Sequence, residues 1–429
     1  MVMTKKRIFP IKNDPACLLK WGFSTIYFQS GTTNSCHRTE KNIIDPDNFD
    51  QFHNVPEKLA ARELMLKGEW PGHGCEYCKR VEDVGGLSDR LFQLDQQQDP
   101  GLTAPELFEN NQAVNVTPTM LEVWFKNTCN MACVYCGPHF SSLWEDENRK
   151  YGNLFENIAS ETNKFSMHYS HNNPHYDKMV AELWTYLETD NRYKMLRRFQ
   201  ILGGEPFLVS ELDDCINFWD LHPNPDLVIS IITNLNIPPK RFQKYVERFE
   251  QLVNQNKIWK FQITGSLDGW GPEMEYVRYG LDLATWEQNF RSLLDKPWAT
   301  LSVNSALSAL TIKKLPALIL KINEWNRLRP ADAEPIIFSF NLTGQHDDPK
   351  RFGTGFFDED LNLALSLLDK KTTIDNGVYE GLQSMAKLIN KKPMDIAKVN
   401  ELKTYLGQLD LRRKTNWQTT FPWLDQDFK

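Results

Sequence analysis

The chain has 429 residues, enough for one large domain with additions or for two to three domains. Its 49 basic and 56 acidic residues leave a net charge of −7, which argues against a general nucleic-acid binder. No apolar run approaches the ~18 residues a membrane span needs, and the opening "MVMTKKRIFP" lacks the apolar core of a signal peptide, so a cytoplasmic protein without a membrane partner is expected.

In that reducing compartment, clustered cysteines point to metal or redox chemistry before disulfides. Four of the eight come early, at Cys17, Cys36, Cys75 and Cys78. Between the first two, "FSTIYFQSGTTNSC" at 23–36 reads as strand, Gly-containing turn and second strand. Then "PEKLAARELMLK" at 56–67 reads as a short helix that starts at a proline, with Gly68 just past its end. "DQQQDPGLTAPELFENNQ" reads as linker.

From about residue 119 the pattern changes. Apolar, β-rich runs recur at "LEVWF", "RRFQIL", "LVISIIT", "WKFQITGSL", "TLSVNSALSAL" and "EPIIFSF". Amphipathic segments such as 177–194, 239–256 and 311–328 lie between several of them. Such alternation predicts parallel strands joined by helical crossovers, an α/β fold with six strands in an open or partly closed barrel. Beyond residue 355 the chain reads as helical and ends in the aromatic-rich "NWQTTFPWL". The expected organisation is an N-terminal cysteine-rich α+β domain at 1–100, a linker at 101–117, the partial barrel at 118–345 and a helical extension at 346–429.

The chemistry concentrates in "LEVWFKNTCNMACVYCGPHFSS" at 121–142, where Cys129, Cys133 and Cys136 are spaced C-x3-C-x2-C directly after the first barrel strand. Loops at the C-terminal ends of strands are where α/β folds place their sites. Thiolates select zinc, copper(I) or iron–sulfur clusters. Three thiolates leave one iron of a 4Fe–4S cluster open to a non-protein ligand; zinc would want a fourth protein ligand, and His139 stands near. The second strand runs into "ILGGEPFL", whose Gly203 and Gly204 let bare backbone approach a neighbour.

Together these motifs resemble the radical S-adenosylmethionine enzymes. "CNMACVYC" is similar to the family's C-x3-C-x2-C motif and "LGGEPFL" to its second-strand motif, while "TNLN" at 233–236, "SLDG" at 266–269 and "RYG" at 278–280 resemble elements after later strands. The likeness covers about residues 118 to 345. It implies a radical S-adenosylmethionine barrel of the partial (β/α)6 kind, in which Cys129, Cys133 and Cys136 hold a 4Fe–4S cluster. Gly203, Gly204 and Glu205 would receive the amino group of S-adenosylmethionine; Ser266, Asp268, Asn234 and Arg278 are further candidates for its contacts, and Tyr135 for its adenine side. The implied reaction is reductive cleavage to a 5′-deoxyadenosyl radical that removes hydrogen from substrate, an oxidoreductase chemistry fed by a donor such as flavodoxin or ferredoxin.

Residues 17 to 90, through "LKGEWPGHGCEYCKRVEDVGGLSDR", resemble a twitch-type (SPASM-like) domain, which implies an auxiliary 4Fe–4S cluster on Cys17, Cys36, Cys75 and Cys78. Spacing alone favours zinc there, and His37 is a possible substitute ligand. Relatives of this kind imply a peptide or protein side chain as substrate; a small molecule such as a nucleoside or sugar derivative is the alternative, and a non-catalytic zinc-binding protein the third reading. Trp124, Trp144 and Trp270 fall near strand ends as candidate cavity walls, and Cys215 reads as a buried thiol.

Overall fold

A computed structural model describes residues 15–72, 74–83, 88–91, 115–154, 173–344, 346–368 and 373–426. Most of the expected linker 101–117 therefore lies outside the described residues.

The strand-forming runs all pair into one sheet of nine strands, in the order β3-β2-β1-β4-β5-β6-β7-β8-β9. The expected hairpin is β1 (Phe23–Tyr27) and β2 (Thr32–Asn34), with Gly31 in its turn at φ +66, and β3 (Asn42–Ile43) pairs antiparallel beyond it. The six expected barrel strands are β4 (Met120–Trp124), β5 (Arg198–Leu202), β6 (Asn224–Thr233), β7 (Ile258–Ser266), β8 (Ala299–Leu307) and β9 (Ile337–Leu342). Each is parallel to its predecessor. Parallel neighbours need crossovers, and helices at 176–188, 211–221, 239–254, 283–291 and 315–328 supply them.

The crossover helices form because their apolar residues recur at helical spacing. In Pro239–Asn254, Phe242, Tyr245, Val246, Phe249 and Leu252 share the buried face, and Phe249 stacks on Phe261 of β7 at 4.1 Å. Burial of each such side chain contributes roughly 1.5–3 kcal/mol before chain entropy is charged against it. The helix starts at a proline, whose missing N–H has no helical partner to lose there.

One pairing goes beyond the alternation rule. β1 runs parallel to β4 in register, Phe23 opposite Met120 and Tyr27 opposite Trp124. The N-terminal segment thus adds three strands to the edge of the parallel sheet. At the other end of the chain, helices Asp358–Ser366, Thr373–Ile389 and Ile396–Arg413 pack as a helical extension, and Leu402, Tyr405, Leu406 and Leu409 are buried along the last. Among the described residues, no helix is long and apolar enough to cross a membrane.

Candidate active site at the C-terminal strand ends

β4 ends at Trp124, and the loop that follows is held at every turn. Ser141 caps the helix Ser142–Tyr151 by accepting from Trp144 N, while its own hydroxyl donates to Met131 O at 2.5 Å. Cys129 N donates to Ser142 Oγ at 3.1 Å, and the wholly buried Trp144 donates its indole N–H to Cys133 O at 2.8 Å. From the other side the "RYG" segment pairs with the loop like a short strand: Ala132 N donates to Tyr279 O at 2.8 Å and Val134 N to Val277 O at 2.7 Å. Gly280 is at φ +102, and a Cβ there would meet Asn130 O at 2.5 Å, so only glycine permits this approach.

The "GGEP" turn docks on the start of the same loop. Gly204 N donates to Lys126 O at 2.9 Å and Glu205 N to Thr128 O at 2.7 Å. A Cβ on Gly203 would meet Lys126 O at 2.7 Å, and one on Gly204 would meet Thr128 O at 2.3 Å. In this structure the two glycines are therefore required for backbone packing against the cysteine loop. Glu205 is completely buried, accepting from Phe207 N at 3.1 Å, Thr233 Oγ1 at 2.8 Å and Asn234 N at 2.6 Å. Burial raises its carboxyl pKa to about 7, against the pull of those three donors.

The "TNLN" residues close the ring. Asn234 Nδ2 donates to Asn130 Oδ1 at 2.8 Å and lies 3.8 Å from Cys129 Sγ, and Asn130 Nδ2 donates to Asn236 O at 2.7 Å. At the end of β7, Asp268 is completely buried and accepts from Arg278 Nη2, Tyr135 OH and Ala306 N at 2.7, 2.7 and 2.9 Å. Tyr135, Asp268 and Arg278 thus form one buried hydrogen-bonded group, with the guanidinium 5.7 Å from the Tyr135 ring. Ser266 sits half-buried at the last position of β7, opposite Asn304.

The eleven residues selected for the first cluster and its cofactor, Cys129, Cys133, Cys136, Tyr135, Gly203, Gly204, Glu205, Asn234, Ser266, Asp268 and Arg278, lie at the C-terminal ends of β4 to β7 or in loops packed there. Their carboxylates and amides mostly bond one another. The three cysteines are free thiols. Burial and the neighbouring Cys133 push Cys129 up to about 12, and burial raises Cys133 while Arg278 offsets part of that rise. Among the described residues, no three Cys, His, Asp or Glu side chains converge as they would on a single metal ion, His139 included. The donor set nonetheless fits an iron–sulfur centre. It consists of three soft thiols on one loop, within electrostatic reach of each other, with an amide N–H toward one sulfur and a guanidinium nearby.

The second thiol group sits at the opposite edge of the sheet. Cys17 precedes β1, and Cys36 follows β2, whose end lies beside the start of β1. Cys17 and Cys75 share a small apolar cluster with Trp21 and Met65. Gly74 has φ +102, and a Cβ there would strike Arg38 O at 2.1 Å, so the Cys36 and Cys75 loops touch backbone to backbone. Glu82 accepts from Ser88 Oγ at 2.5 Å and from the Arg90 guanidinium, which also donates to Ala16 O at 2.9 Å. This bridge ties the Cys-x2-Cys helix to the Cys17 turn. Burial, with Cys36 and Cys75 nearby, raises Cys17 to about 12. His37 lies 3.4 Å from Glu122 Oε1.

Three tryptophan expectations divide. Trp124 lines a cavity, Trp144 is buried beneath the cysteine loop, and Trp270 packs edge-on to Trp325 at 5.5 Å. Cys215 is fully buried and free, as expected. Sequence reasoning missed Asn127, Asn130 and Tyr405. Asn127 Nδ2 donates to Pro138 O at 2.9 Å across the cysteine loop, and Tyr405 OH donates to Val134 O at 2.6 Å from the C-terminal extension. The signal for the asparagines was present, since short amides in a loop that must turn commonly bond nearby backbone.

No protein-family model and no curated protein matches the chain. Among solved structures, it is similar to one described as native anSMEcpe with bound AdoMet and Kp18Cys peptide, at 16% identity and a TM-score of 0.33. The match covers 62% of this chain and 61% of that one, less than two thirds of the neighbour's length.

Proposed function

We propose that the chain is a radical S-adenosylmethionine enzyme acting on a peptide or protein side chain. The observation that carries this reading is the three-thiol loop at the end of a parallel strand, with the GGEP turn docked on it and Asn234 aimed at Cys129 Sγ. In this reading Cys129, Cys133 and Cys136 hold a 4Fe–4S cluster whose fourth iron is open to S-adenosylmethionine. Bound there, the cluster would supply one electron for cleavage of the cofactor to methionine and a 5′-deoxyadenosyl radical, which takes hydrogen from the substrate. The chain's own residues fix the loop: Trp144 and Tyr405 hold the Cys133 and Val134 carbonyls, and the Tyr135–Asp268–Arg278 group anchors its centre.

The proposal extends to the N-terminal unit, residues 1–100, where Cys17, Cys36, Cys75 and Cys78 would hold an auxiliary 4Fe–4S cluster. Residues 118–345 would form the partial barrel and 346–429 the extension, in a reducing, cytoplasmic setting with flavodoxin or ferredoxin as electron donor. The test is iron and sulfide content after anaerobic reconstitution, followed by 5′-deoxyadenosine formation with S-adenosylmethionine and a reductant. About eight irons per chain are expected for two cubane clusters. Cys133→Ala should abolish 5′-deoxyadenosine while leaving the second centre in place. Activity retained in that variant, or zinc in place of iron at both sites, would overturn the assignment.

A further inference from the structure

The four thiols at the starting edge of the sheet have one cation among them. Lys20 stands one helical turn beyond Cys17, whose carbonyl accepts from its backbone N–H at 3.0 Å. Lys20 is only 6% exposed, and its ammonium acts electrostatically on Cys17, Cys36 and Cys75, drawing each thiol toward its ionised form. Among the described residues this ammonium has neither an ion pair nor a hydrogen bond. Its buried neighbours Lys58 and Arg62 are satisfied. Lys58 donates to Ser24 Oγ, Thr33 Oγ1 and Phe52 O at 2.8, 2.7 and 3.0 Å, and the Arg62 guanidinium to Asn54 Oδ1 and His53 O at 2.8 and 2.9 Å. The acids that also act on these thiols are engaged elsewhere: Asp89 pairs with Arg38 at 2.7 Å, and Glu76 accepts from Gly74 N at 2.9 Å.

A buried ammonium with no acid beside it costs stability unless an opposite charge joins it. Neutral thiols supply none. Four thiolates on a metal do, because their charge exceeds that of one zinc ion or of a cubane core. The surroundings of Cys36 agree with an electron-rich sulfur: Arg38 N donates to its Sγ at 3.4 Å, and directly before it Ser35 Oγ is buried with no hydrogen-bond partner among the described residues. The first thiol loop differs. Its nearby cation, Arg278, is already paired with Asp268 at 2.7 Å.

We propose that Lys20 is the counter-cation of an anionic metal–thiolate centre on Cys17, Cys36, Cys75 and Cys78, and that it favours the centre's reduced, more negative state. The redox part rests on the function proposed above; the charge pairing does not. The background for the test is the full chain with Cys129→Ala, Cys133→Ala and Cys136→Ala, so that only the N-terminal thiols take metal. Zinc alone is the first probe, titrated against a competing chelator. Lys20→Met should loosen zinc about tenfold, the low end of what losing an outer-shell partner costs in metal affinity, and Lys20→Arg should restore it. In metal-free protein Lys20→Met should unfold at the same or a higher urea concentration than its parent, because it removes an uncompensated charge. After anaerobic reconstitution with iron and sulfide, Lys20→Met should lower the reduction potential by about 59 mV, the one-electron equivalent of tenfold. Unchanged zinc affinity overturns the inference, as does a Lys20→Met protein that is less stable than its parent without metal or does not fold. An iron–sulfur centre whose potential Lys20→Met leaves in place overturns the inference alone. Tenfold loosening of zinc in protein that takes up no iron and sulfide overturns the auxiliary cluster and leaves the charge pairing standing. Protein that binds neither metal overturns both.

Discussion

Glu205→Gln is the perturbation whose outcome can be worked furthest. Its carboxylate is completely buried, and burial raises the pKa from 4.5 to about 7 despite donors from Phe207, Thr233 and Asn234. The folded protein therefore keeps this proton to about pH 7, whereas the unfolded chain releases it near 4.5. Where the native state holds more protons than the unfolded state, raising the pH favours unfolding. The stabilisation is thus complete below the unfolded value, declines across the window between the two, and is gone above about 7. A change of that size corresponds to about 3 kcal/mol at ~1.4 kcal/mol per tenfold in proton affinity.

Glutamine has the same shape but no proton to lose. Its carbonyl can accept from two of the three donors, while its NH2 faces the third, a mismatch of about 1–3 kcal/mol that does not vary with pH. The readout is consequently the difference in urea-unfolding free energy between variant and wild type as a function of pH. Between about pH 5 and about pH 8 that difference should shift in the variant's favour by about 2.5 kcal/mol. Asp347, raised to about 6 by its own burial, is common to both proteins and cancels. Parallel profiles would refute the reasoning, because they would mean that Glu205 is solvated or ionised throughout.

Three further outcomes follow from the same packing. Gly204→Ala would place a Cβ 2.3 Å from Thr128 O and 2.5 Å from Asn127 O, displacing the entry to the cysteine loop; a loss of at least about 1–3 kcal/mol in denaturation and reduced iron uptake on reconstitution are expected. Arg278→Met would leave the buried Asp268 carboxylate without its cation, and a loss of about 3–5 kcal/mol should be measured, whereas replacing both partners by apolar residues should cost less. Tyr405→Phe removes only the hydroxyl that holds Val134 O at 2.6 Å; a loss of about 1–3 kcal/mol is expected, with the circular dichroism of the fold retained.

The strand and helix order was legible because parallel crossovers require alternation, and alternation is written in short segments. Each of the six runs from "LEVWF" to "EPIIFSF" became a strand within a few residues of its expected place. The cysteine loop was legible for a similar reason, since C-x3-C-x2-C after a strand is a local pattern. What stayed hidden depends on partners far along the chain. Nothing near residues 23–27 indicates that they pair with 120–124, because a short buried strand reads the same whichever neighbour it takes. Tyr405 reaches Val134 across 271 positions. Glu205 was read as facing a ligand, yet in this structure Thr233 and Asn234 occupy its oxygens, an outcome decided by how β5 and β6 end side by side.

The parallel register of β1 and β4 also separates the two thiol groups in space. Cys17 and Cys36 lie near the starting ends of these strands, while Cys129, Cys133 and Cys136 follow their finishing ends. A five-residue strand at ~3.3 Å per residue puts about 17 Å of sheet between the two edges. Under the function proposed above, a centre at the starting edge would not ligate a substrate whose hydrogen is removed at the other. Under that proposal its contribution would pass through the sheet as an electron or as rigidity; the Glu82–Arg90–Ala16 bridge ties the Cys75–Cys78 helix to the Cys17 turn. At the finishing edge Tyr27 of β1 and Trp124 of β4 line the same cavity, their rings 5.5 Å apart. The N-terminal strands therefore reach both ends of the sheet, with Cys17 and Cys36 near one and Tyr27 at the other, a placement that only the parallel register of β1 and β4 gives.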